Sequence, residues 1–379
     1  MSGDEIELAL EKVRAAFDTI LEPKLNWNLN DLNLLKGVEI GEDGGLDVRI
    51  NVVETDPDKL TDFRLHVEEK LARFRFSPVR IVLRRIDVDI EGTSGVKRIV
   101  LVGSGKGGVG KSTVAVGLAD ALRHAGHAVG IMDADIYGPS LPMMLGVQER
   151  PEVLPDEYLM PIEAHGMKTM SIGYLMNKHK PIDWRGTLAS GTLLQFIKRT
   201  FWGKLDYLVV DMPPGTGDVQ LTLAQRLEAD GVVVVSTPQE VVLGDVRRSV
   251  AMFEKHQIPV AGIVENMTMF ACAKCGHLNE PFVRSSAPPD EDDPMARYET
   301  LVSIPLDRRL SEASDKGIPV VTFDPDCDAS RVFQRLALDA VGQIDRCHDK
   351  REAWRAEREA ELAETMRKLE AQGRRTRRL

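Results

Sequence analysis

The sequence predicts an α/β protein in which a doubly wound, mostly parallel sheet follows a small α+β domain. Short apolar runs typical of buried parallel strands alternate with helical stretches between residues 98 and 264. The first 90 residues instead combine two amphipathic helices with alternating strands. We expect a small α+β domain at 1–90, a linker at 91–97, the α/β domain at 98–344 and a charged helical tail at 345–379.

Length and composition limit the possible classes of protein. The 379 residues allow two or three domains, and 43% hydrophobic residues suffice for a sizeable core. A net charge of −10 argues against a nucleic-acid-coating protein. The sequence contains no apolar run long enough for a membrane span. Its acidic N-terminus also lacks the apolar core of a signal peptide. The four cysteines are too few for a disulfide scaffold, so we expect a cytoplasmic protein. From the charge and the apolar pattern, we expect neither a nucleic-acid partner nor a membrane span.

The front of the chain follows the α+β pattern in order. Residues 5–21 form an amphipathic pattern that ends at Glu22-Pro23, and residues 46–52 alternate apolar with polar positions. Asp56-Pro57 then opens a second helix, and residues 79–86 resemble another strand. This size suits an independent domain, and a Gly- and Ser-bearing linker follows it.

A glycine-rich loop opens the α/β domain. An apolar run at Arg98–Val102 precedes it and a helical pattern begins at Val114, which is the strand, loop and helix order of a phosphate-binding loop. Glycines let backbone N–H groups turn toward phosphate oxygens, and the helix N-terminus favours the same anion. The residues expected to bind nucleotide here are Gly105, Lys106, Gly107, Gly108, Val109, Gly110, Lys111, Ser112 and Thr113.

Acidic and polar residues follow the later strands. The further predicted strands are Ala128–Met132, Asp206–Val210, Gly231–Ser236 and Val260–Val264, with helices at 219–228 and 244–256 among them. Because ligands bind beyond the carboxyl ends of parallel strands, the motifs at these ends indicate one shared nucleotide site.

Roles for these residues follow from phosphoryl-transfer chemistry. Lys111 can reach the β- and γ-phosphates, while Ser112 and Asp211 suit the ligand shell of Mg²⁺. Asp133 can support the metal and Asp135 can position the attacking water, although either can instead cap the following segment. Asn266 can read adenine through its amide.

Lys106 is an additional lysine near the start of the loop. It can reach a phosphate in a facing subunit and act like an arginine finger supplied in trans, or it can simply be solvated.

Cys272 and Cys275 form a close pair suited to a metal or an iron–sulfur cluster, with a redox thiol pair and inert cysteines as alternatives. The remote Cys327 and Cys347 show no paired spacing. Because a closed site needs four ligands, a two-fold homodimer would supply the Cys272 and Cys275 thiolates twice.

The loop Gly105-Lys-Gly-Gly-Val-Gly-Lys-Ser112 resembles the deviant Walker A ATPases, which include MinD, ParA and the nitrogenase iron protein. Further motifs narrow the resemblance to the Mrp/ApbC family of iron–sulfur cluster carriers. These motifs are Met132-Asp-Ala-Asp-Ile-Tyr-Gly-Pro-Ser140, Trp184-Arg-Gly186, Val210-Asp-Met-Pro-Pro-Gly-Thr-Gly-Asp-Val-Gln220, Thr237-Pro-Gln-Glu240 and Glu265-Asn-Met267.

This resemblance implies an ATP-hydrolysing homodimer with Lys106 acting across the interface. It also implies a [4Fe–4S] cluster bridged by Cys272 and Cys275 of both subunits and its transfer to recipient apoproteins. Lys106, Lys111 and Asp135 would be the catalytic residues. Two alternatives stay open: a MinD/ParA-like positioning ATPase, for which the tail at 345–379 is too charged, and an ATP-dependent electron-transfer protein.

Three segments depart from the family pattern. The front domain resembles a small iron–sulfur-assembly domain but lacks a cysteine near Glu54-Thr-Asp-Pro57. An acidic, proline-bearing insert at 282–293 replaces a glycine-rich stretch, and we expect it to be a mobile loop. The tail is expected to form an exposed, solvated helix, with a contact to a partner or an anionic surface as the alternative.

Overall fold

A computed structural model describes residues 3–376 except 25–27, 31–33, 42, 75, 86–91, 137, 155–157, 176–185, 216, 273 and 283–292. The expected mobile loop therefore lies almost entirely outside the described residues, as does most of the Trp184-Arg-Gly186 motif. Within the described part of the chain, no helix is long and apolar enough to span a membrane.

The described residues of the front domain form a three-stranded sheet and two α-helices. Its elements are α1 (Gly3–Ala16), β1 (Leu35–Ile40), β2 (Leu46–Val52), α2 (Pro57–Ala72) and β3 (Val79–Arg85). Strand β2 lies in the centre, antiparallel to β1 and parallel to β3. The parallel pair requires a crossover, which α2 supplies after Asp56 caps its N-terminus.

The second part of the chain is the α/β domain. It begins with β4 (Val96–Ser104), α3 (Lys111–His124), β5 (Val129–Asp133), α4 (Leu141–Met144), β6 (Ile162–Ala164), β7 (Met167–Ser171), α5 (Gly186–Lys198) and β8 (Leu205–Asp211). It continues with α6 (Asp218–Arg226), β9 (Gly231–Ser236), α7 (Glu240–Lys255), β10 (Val260–Glu265), β11 (Phe270–Ala271), β12 (Leu278–Asn279), β13 (Thr300–Ser303), α8 (Arg308–Asp315), α9 (Val320–Phe323) and α10 (Asp328–Thr376).

Eight of the described strands of this domain form one sheet in the order β13-β10-β9-β4-β8-β5-β7-β6, and β11 and β12 form a separate two-stranded hairpin. In the eight-stranded sheet, only β6 is antiparallel to its neighbour, so the predicted doubly wound, mostly parallel fold is confirmed. The five strands expected from sequence occupy the centre and one flank, where both faces are covered and the residues are uniformly apolar. The short strands β6, β7 and β13 escaped prediction because they mix polar and apolar residues.

The front domain shares its core with the α/β domain. Leu154, Tyr158, Met160 and Phe201 join the buried cluster that contains Val48 of β2. The Tyr158 and Phe201 rings stack with their centroids 4.6 Å apart. Side chains from beyond residue 150 thus lie in the core of the front domain, and its folding as an independent domain stays a prediction.

The expected linker is also fixed in place. The N–H of Gly92 donates to the carbonyl of Lys198, and its own carbonyl accepts from the N–H of Trp202. A Cβ atom at Gly92 would lie 1.8 Å from the Thr200 carbonyl oxygen, so only glycine fits there. The described part of the expected linker, from Gly92 onward, is therefore packed against the α/β domain. Strand β4 already begins at Val96.

The first part of the expected tail contacts the α/β domain, and residues 355–360 are exposed as expected. Helix α10 continues through position 345 without a break. His348 and Arg351 both pair with the buried carboxylate of Asp230, and Arg358 donates to the side chain of Gln257. Charged residues of this helix therefore bind polar groups of the α/β domain instead of facing only water.

Candidate functional site

The glycine-rich loop joins the end of β4 to the start of α3, at the carboxyl edge of the sheet. Gly108 and Gly110 both have φ of +85°, in the left-handed region that favours glycine. A Cβ atom at Gly110 would lie 2.2 Å from the Asn266 amide nitrogen. The sequence therefore has glycine where the loop turns its backbone inward and where it meets a neighbouring segment.

A buried ion pair lies directly below this loop. The Lys111 ammonium lies 2.5 Å from Oδ1 of Asp211, and both side chains are almost completely excluded from solvent. Burial raises the pKa of Asp211, while the charge of Lys111 opposes that rise. Asp135 is near the pair, with its Oδ2 atom 4.0 Å from the Lys111 ammonium. The structure thus brings the three side chains together.

Asp211 retains an unused buried acceptor. Its Oδ2 atom has no hydrogen-bond partner in the described structure, and the nearby Ser112 hydroxyl opposes the rise in the pKa of the same carboxylate. An orphaned carboxylate oxygen beside a hydroxyl is the type of oxygen ligand that Mg²⁺ binds. The residues present therefore fit a magnesium ion at Ser112 and Asp211.

Asp133 is paired with Asp211 in the register of strands β5 and β8. Its oxygens accept hydrogen bonds from the backbone N–H groups of Asp135, Ser140 and Leu141 and from the Ser171 hydroxyl. Burial, followed by the charge of Asp211, raises the pKa of Asp133 to about 7. These contacts support the capping interpretation, because Asp133 fixes the loop after β5; its contact with a metal stays a prediction.

Lys106 differs from Lys111 in its surroundings. It is exposed at the surface of the loop, and its carbonyl accepts a hydrogen bond from the Ser104 hydroxyl. The structure therefore places Lys106 where a second molecule could meet it, while Lys111 faces its own site. The role of Lys106 in trans stays a prediction.

Asn266 connects the loop to the segment after β10. Its amide nitrogen donates to the Val109 carbonyl at a distance of 2.9 Å, and its amide oxygen accepts from the Met267 N–H. The side chain is buried, and Met267 has a φ of +56°. Asn266 is thus a fixed part of the loop wall, and its predicted contact with adenine is untested.

The cysteine pair lies on a hairpin formed by β11 and β12. The N–H of Cys272 donates to the His277 carbonyl, and the N–H of Gly276 donates to the Cys272 carbonyl. Cys275 is exposed and Cys272 is half-buried. Backbone N–H groups of Lys274 and Cys275 lower the pKa of the Cys272 thiol by hydrogen bonding to its sulfur.

The cysteine pair alone does not make a closed metal site. Among the described residues, no group of three or more His, Cys, Asp or Glu side chains is placed to hold a metal ion. Cys327 and Cys347 are buried in the core of the domain, and burial raises the pKa of Cys347 to about 11. One chain thus presents two accessible thiols.

Thr237, which follows β9, is a further residue near the site, with no role expected from the sequence. Its hydroxyl is buried without a partner in the described structure, and the preceding Ser236 accepts a hydrogen bond from the Asn266 N–H. Thr237 thus lies beside the segment that contacts the nucleotide loop. The position of Thr237 at the carboxyl end of a central strand is the sequence feature that could have indicated its place near the site.

Known proteins resemble this chain over most of its α/β domain. Residues 95–341 match a family model described as ParA: NUBPL iron-transfer P-loop NTPase. An iron-sulfur cluster carrier protein of Pseudomonas fragi is 46% identical over 260 residues, covering 68% of this chain and 90% of that protein. One of Haemophilus influenzae is 41% identical over 335 residues, covering 86% of this chain and 90% of that protein.

A solved structure is also similar. The nucleotide-binding protein of Archaeoglobus fulgidus in complex with ADP is 40% identical, with a TM-score of 0.53, over 63% of this chain and 93% of that chain. Together with the family model, these matches confirm the resemblance to iron–sulfur cluster carriers and the P-loop fold.

The surroundings of the thiols predict their reactivity. In metal-free protein at pH 7, iodoacetamide should modify Cys272 much faster than Cys347. The reason is that the pKa is lowered for the first thiol and raised for the second, and only the thiolate reacts. The rate at Cys272 should rise with pH through its lowered pKa. Mass spectrometry of peptides after timed labelling measures both rates, and equal rates in the folded protein would contradict the structure.

Proposed function

Because the chain belongs to the NUBPL-type iron-transfer P-loop NTPase family, we propose that it binds iron–sulfur clusters and transfers them to apoproteins. In this proposal, ATP binding and hydrolysis control a homodimeric carrier. The names of its bacterial relatives support the cargo, and the ADP complex of the Archaeoglobus protein supports the nucleotide.

One observation carries the proposal. Asn266 binds the Val109 carbonyl of the nucleotide loop, and Cys272 follows it by only six residues on a short hairpin. A single segment thus contacts the nucleotide loop and presents both accessible thiols. A change in the loop can therefore alter the thiol positions without passing through the rest of the domain.

The cluster is proposed to bridge two copies of the chain. Each copy offers Cys272 and Cys275 at its surface, so two copies related by a two-fold axis supply four thiolates. Four thiolates are the ligand set of a [4Fe–4S] cluster. The lowered pKa of Cys272 favours this step, because the thiolate is the form that binds iron.

Hydrolysis is proposed to follow in-line attack of water on the γ-phosphate. The Lys111 ammonium leaves Asp211 to bind the β- and γ-phosphates, Asp135 positions the water, and Lys106 of the facing copy stabilises the developing charge. Ser112 and Asp211 would hold Mg²⁺, which neutralises phosphate charge when bound. Gly110 and Asn266 shape the wall of the nucleotide site.

The proposed location is the cytoplasm. All four cysteines are free thiols in the described structure, which suits a reducing compartment.

Loss of the exposed thiols tests the cargo. Anaerobic reconstitution with iron and sulfide should give visible cluster absorption in the wild type, and the Cys272→Ala and Cys275→Ala variants should each lose most of the bound iron. Iron content and the absorption spectrum measure the outcome. Cys327→Ala serves as the matched control, because that thiol is buried away from the hairpin and its loss should leave iron binding intact. Full iron content in both hairpin variants would contradict the proposal.

Lys106 can be tested in mixed dimers. We consider a dimer of one Lys106→Ala subunit and one Lys111→Ala subunit, which cannot bind nucleotide. Only the Lys106→Ala subunit then has an intact phosphate-binding lysine. If Lys106 acts in trans, the only intact nucleotide site faces the Lys111→Ala subunit, whose Lys106 is present, so hydrolysis should persist at that site. Phosphate release from the purified mixed dimer should therefore approach half the wild-type rate. Complete loss of hydrolysis would show that Lys106 acts in its own subunit.

A further inference from the structure

A groove lies at the amino edge of the main sheet, opposite the nucleotide loop. One cavity of about 550 Å³ lies between α10 and the ends of α6 and α7. A second cavity of about 290 Å³ adjoins the start of β4, and Arg226, Glu228 and Arg351 line both. We call the two cavities together the back groove. The nine residues of β4 run from this groove to the nucleotide loop, a length of about 26 Å.

The back groove is basic in a chain whose net charge is −10. Six cationic side chains line it: Lys97, Lys198, Arg226, Arg351, Arg355 and Arg358. Three carboxylates also line it: Glu228, Asp230 and Glu359. Two more pair with its cations from just outside it: Asp206 with Lys97, and Glu352 with Arg351 and Arg355. The cations still outnumber these carboxylates, so the local charge is weakly positive where the whole molecule is negative.

The pairing of these cations leaves several able to bind another chain. Arg351 is committed to the buried Asp230 carboxylate. Arg226 is exposed and has no hydrogen-bond or ion-pair partner in the described part of the chain. Arg358 donates to the neutral amide of Gln257, whereas Arg355 already pairs with the exposed carboxylates of Glu228, Glu352 and Glu359. Exposed pairs of this kind are weak and exchange readily for a better acceptor.

An aromatic side chain lies among the cations. Trp354 lines the larger cavity and is only partly buried, and the Lys350 ammonium lies 4.8 Å from the centre of its ring. Tryptophan and arginine together are the residues most enriched at energetically important positions of protein interfaces. The groove therefore offers apolar contact as well as charge.

The length of the groove distinguishes a peptide from a small anion. Arg351 and Glu359 lie eight positions apart on α10, a distance of about 12 Å along the helix. About four residues of an extended chain span that distance, and the second cavity lengthens the groove further. We propose that the back groove binds an extended, acidic peptide segment of a partner protein.

The test uses a fluorescein-labelled peptide of alternating Glu and Asp residues around one central Leu. Binding to the full-length, cluster-free protein is measured by fluorescence anisotropy at low ionic strength, so the result does not depend on cluster transfer. The wild type should bind this peptide, salt should weaken the binding, and a peptide with Gln and Asn in place of the acids should not bind.

Two variants locate the binding. The double change Arg226→Gln with Arg358→Gln should raise the Kd by about tenfold or more. Arg308→Gln with Arg331→Gln is the matched control: these exposed arginines lie outside the groove, and the net charge changes equally. Trp354→Ala keeps the net charge and should also weaken binding. Thermal unfolding curves check that the variants remain folded.

Four results would overturn the proposal. These are no binding by the wild type, an equal loss of affinity in both double variants, equal binding of the neutral peptide, and displacement of the peptide by inorganic pyrophosphate at an equal concentration. The last result would assign the groove to small anions.

Discussion

The hydrogen bond from the Asn266 amide to the Val109 carbonyl connects the two halves of the candidate site. On one side of it lies the loop that turns through Gly108 and Gly110, and on the other lies the hairpin with the two accessible thiols. Because Asn266 is buried and its amide oxygen is also bonded, the contact has little freedom to shift alone. The nucleotide loop and the cysteine hairpin are therefore expected to move together.

A second constraint concerns charge. Lys111 and Asp211 form a buried pair, and the same two groups are proposed to bind phosphate and magnesium. Nucleotide binding therefore exchanges one set of buried charge contacts for another rather than burying new charge without a partner. Asp133 sits beside this pair in the sheet and fixes the loop that carries Asp135, so the three carboxylates have different environments although their strand ends are adjacent.

Much of the site was predictable from the sequence because its order along the chain fixes its geometry. Once parallel strands are recognised, the residues after β4, β5, β8 and β10 must meet at one edge of the sheet. The hydrogen-bonding role of Asp133 was only one of two alternatives, because composition does not show which N–H groups surround a carboxylate. The Asn266 contact was also missed as a link, since its partner lies 157 positions away.

Long-range packing explains the remaining differences. Nothing local marks Tyr158 or Phe201 as part of the front domain, yet both complete its core. The tail was separated at residue 345 because its composition is charged, but His348 and Arg351 find the buried carboxylate of Asp230. A charged helix face looks solvated in sequence whether or not a polar partner covers it.

Nucleotide is proposed to control the thiols through Asn266. The most direct test is the rate of iron–sulfur transfer from reconstituted protein to an apo-ferredoxin, measured with and without saturating ATP, in the wild type and in Asn266→Ala. ATP should change the rate in the wild type. The variant, at ATP concentrations that saturate it in a separate binding titration, should transfer at one rate under both conditions. An equal response to ATP in both proteins would contradict control through Asn266.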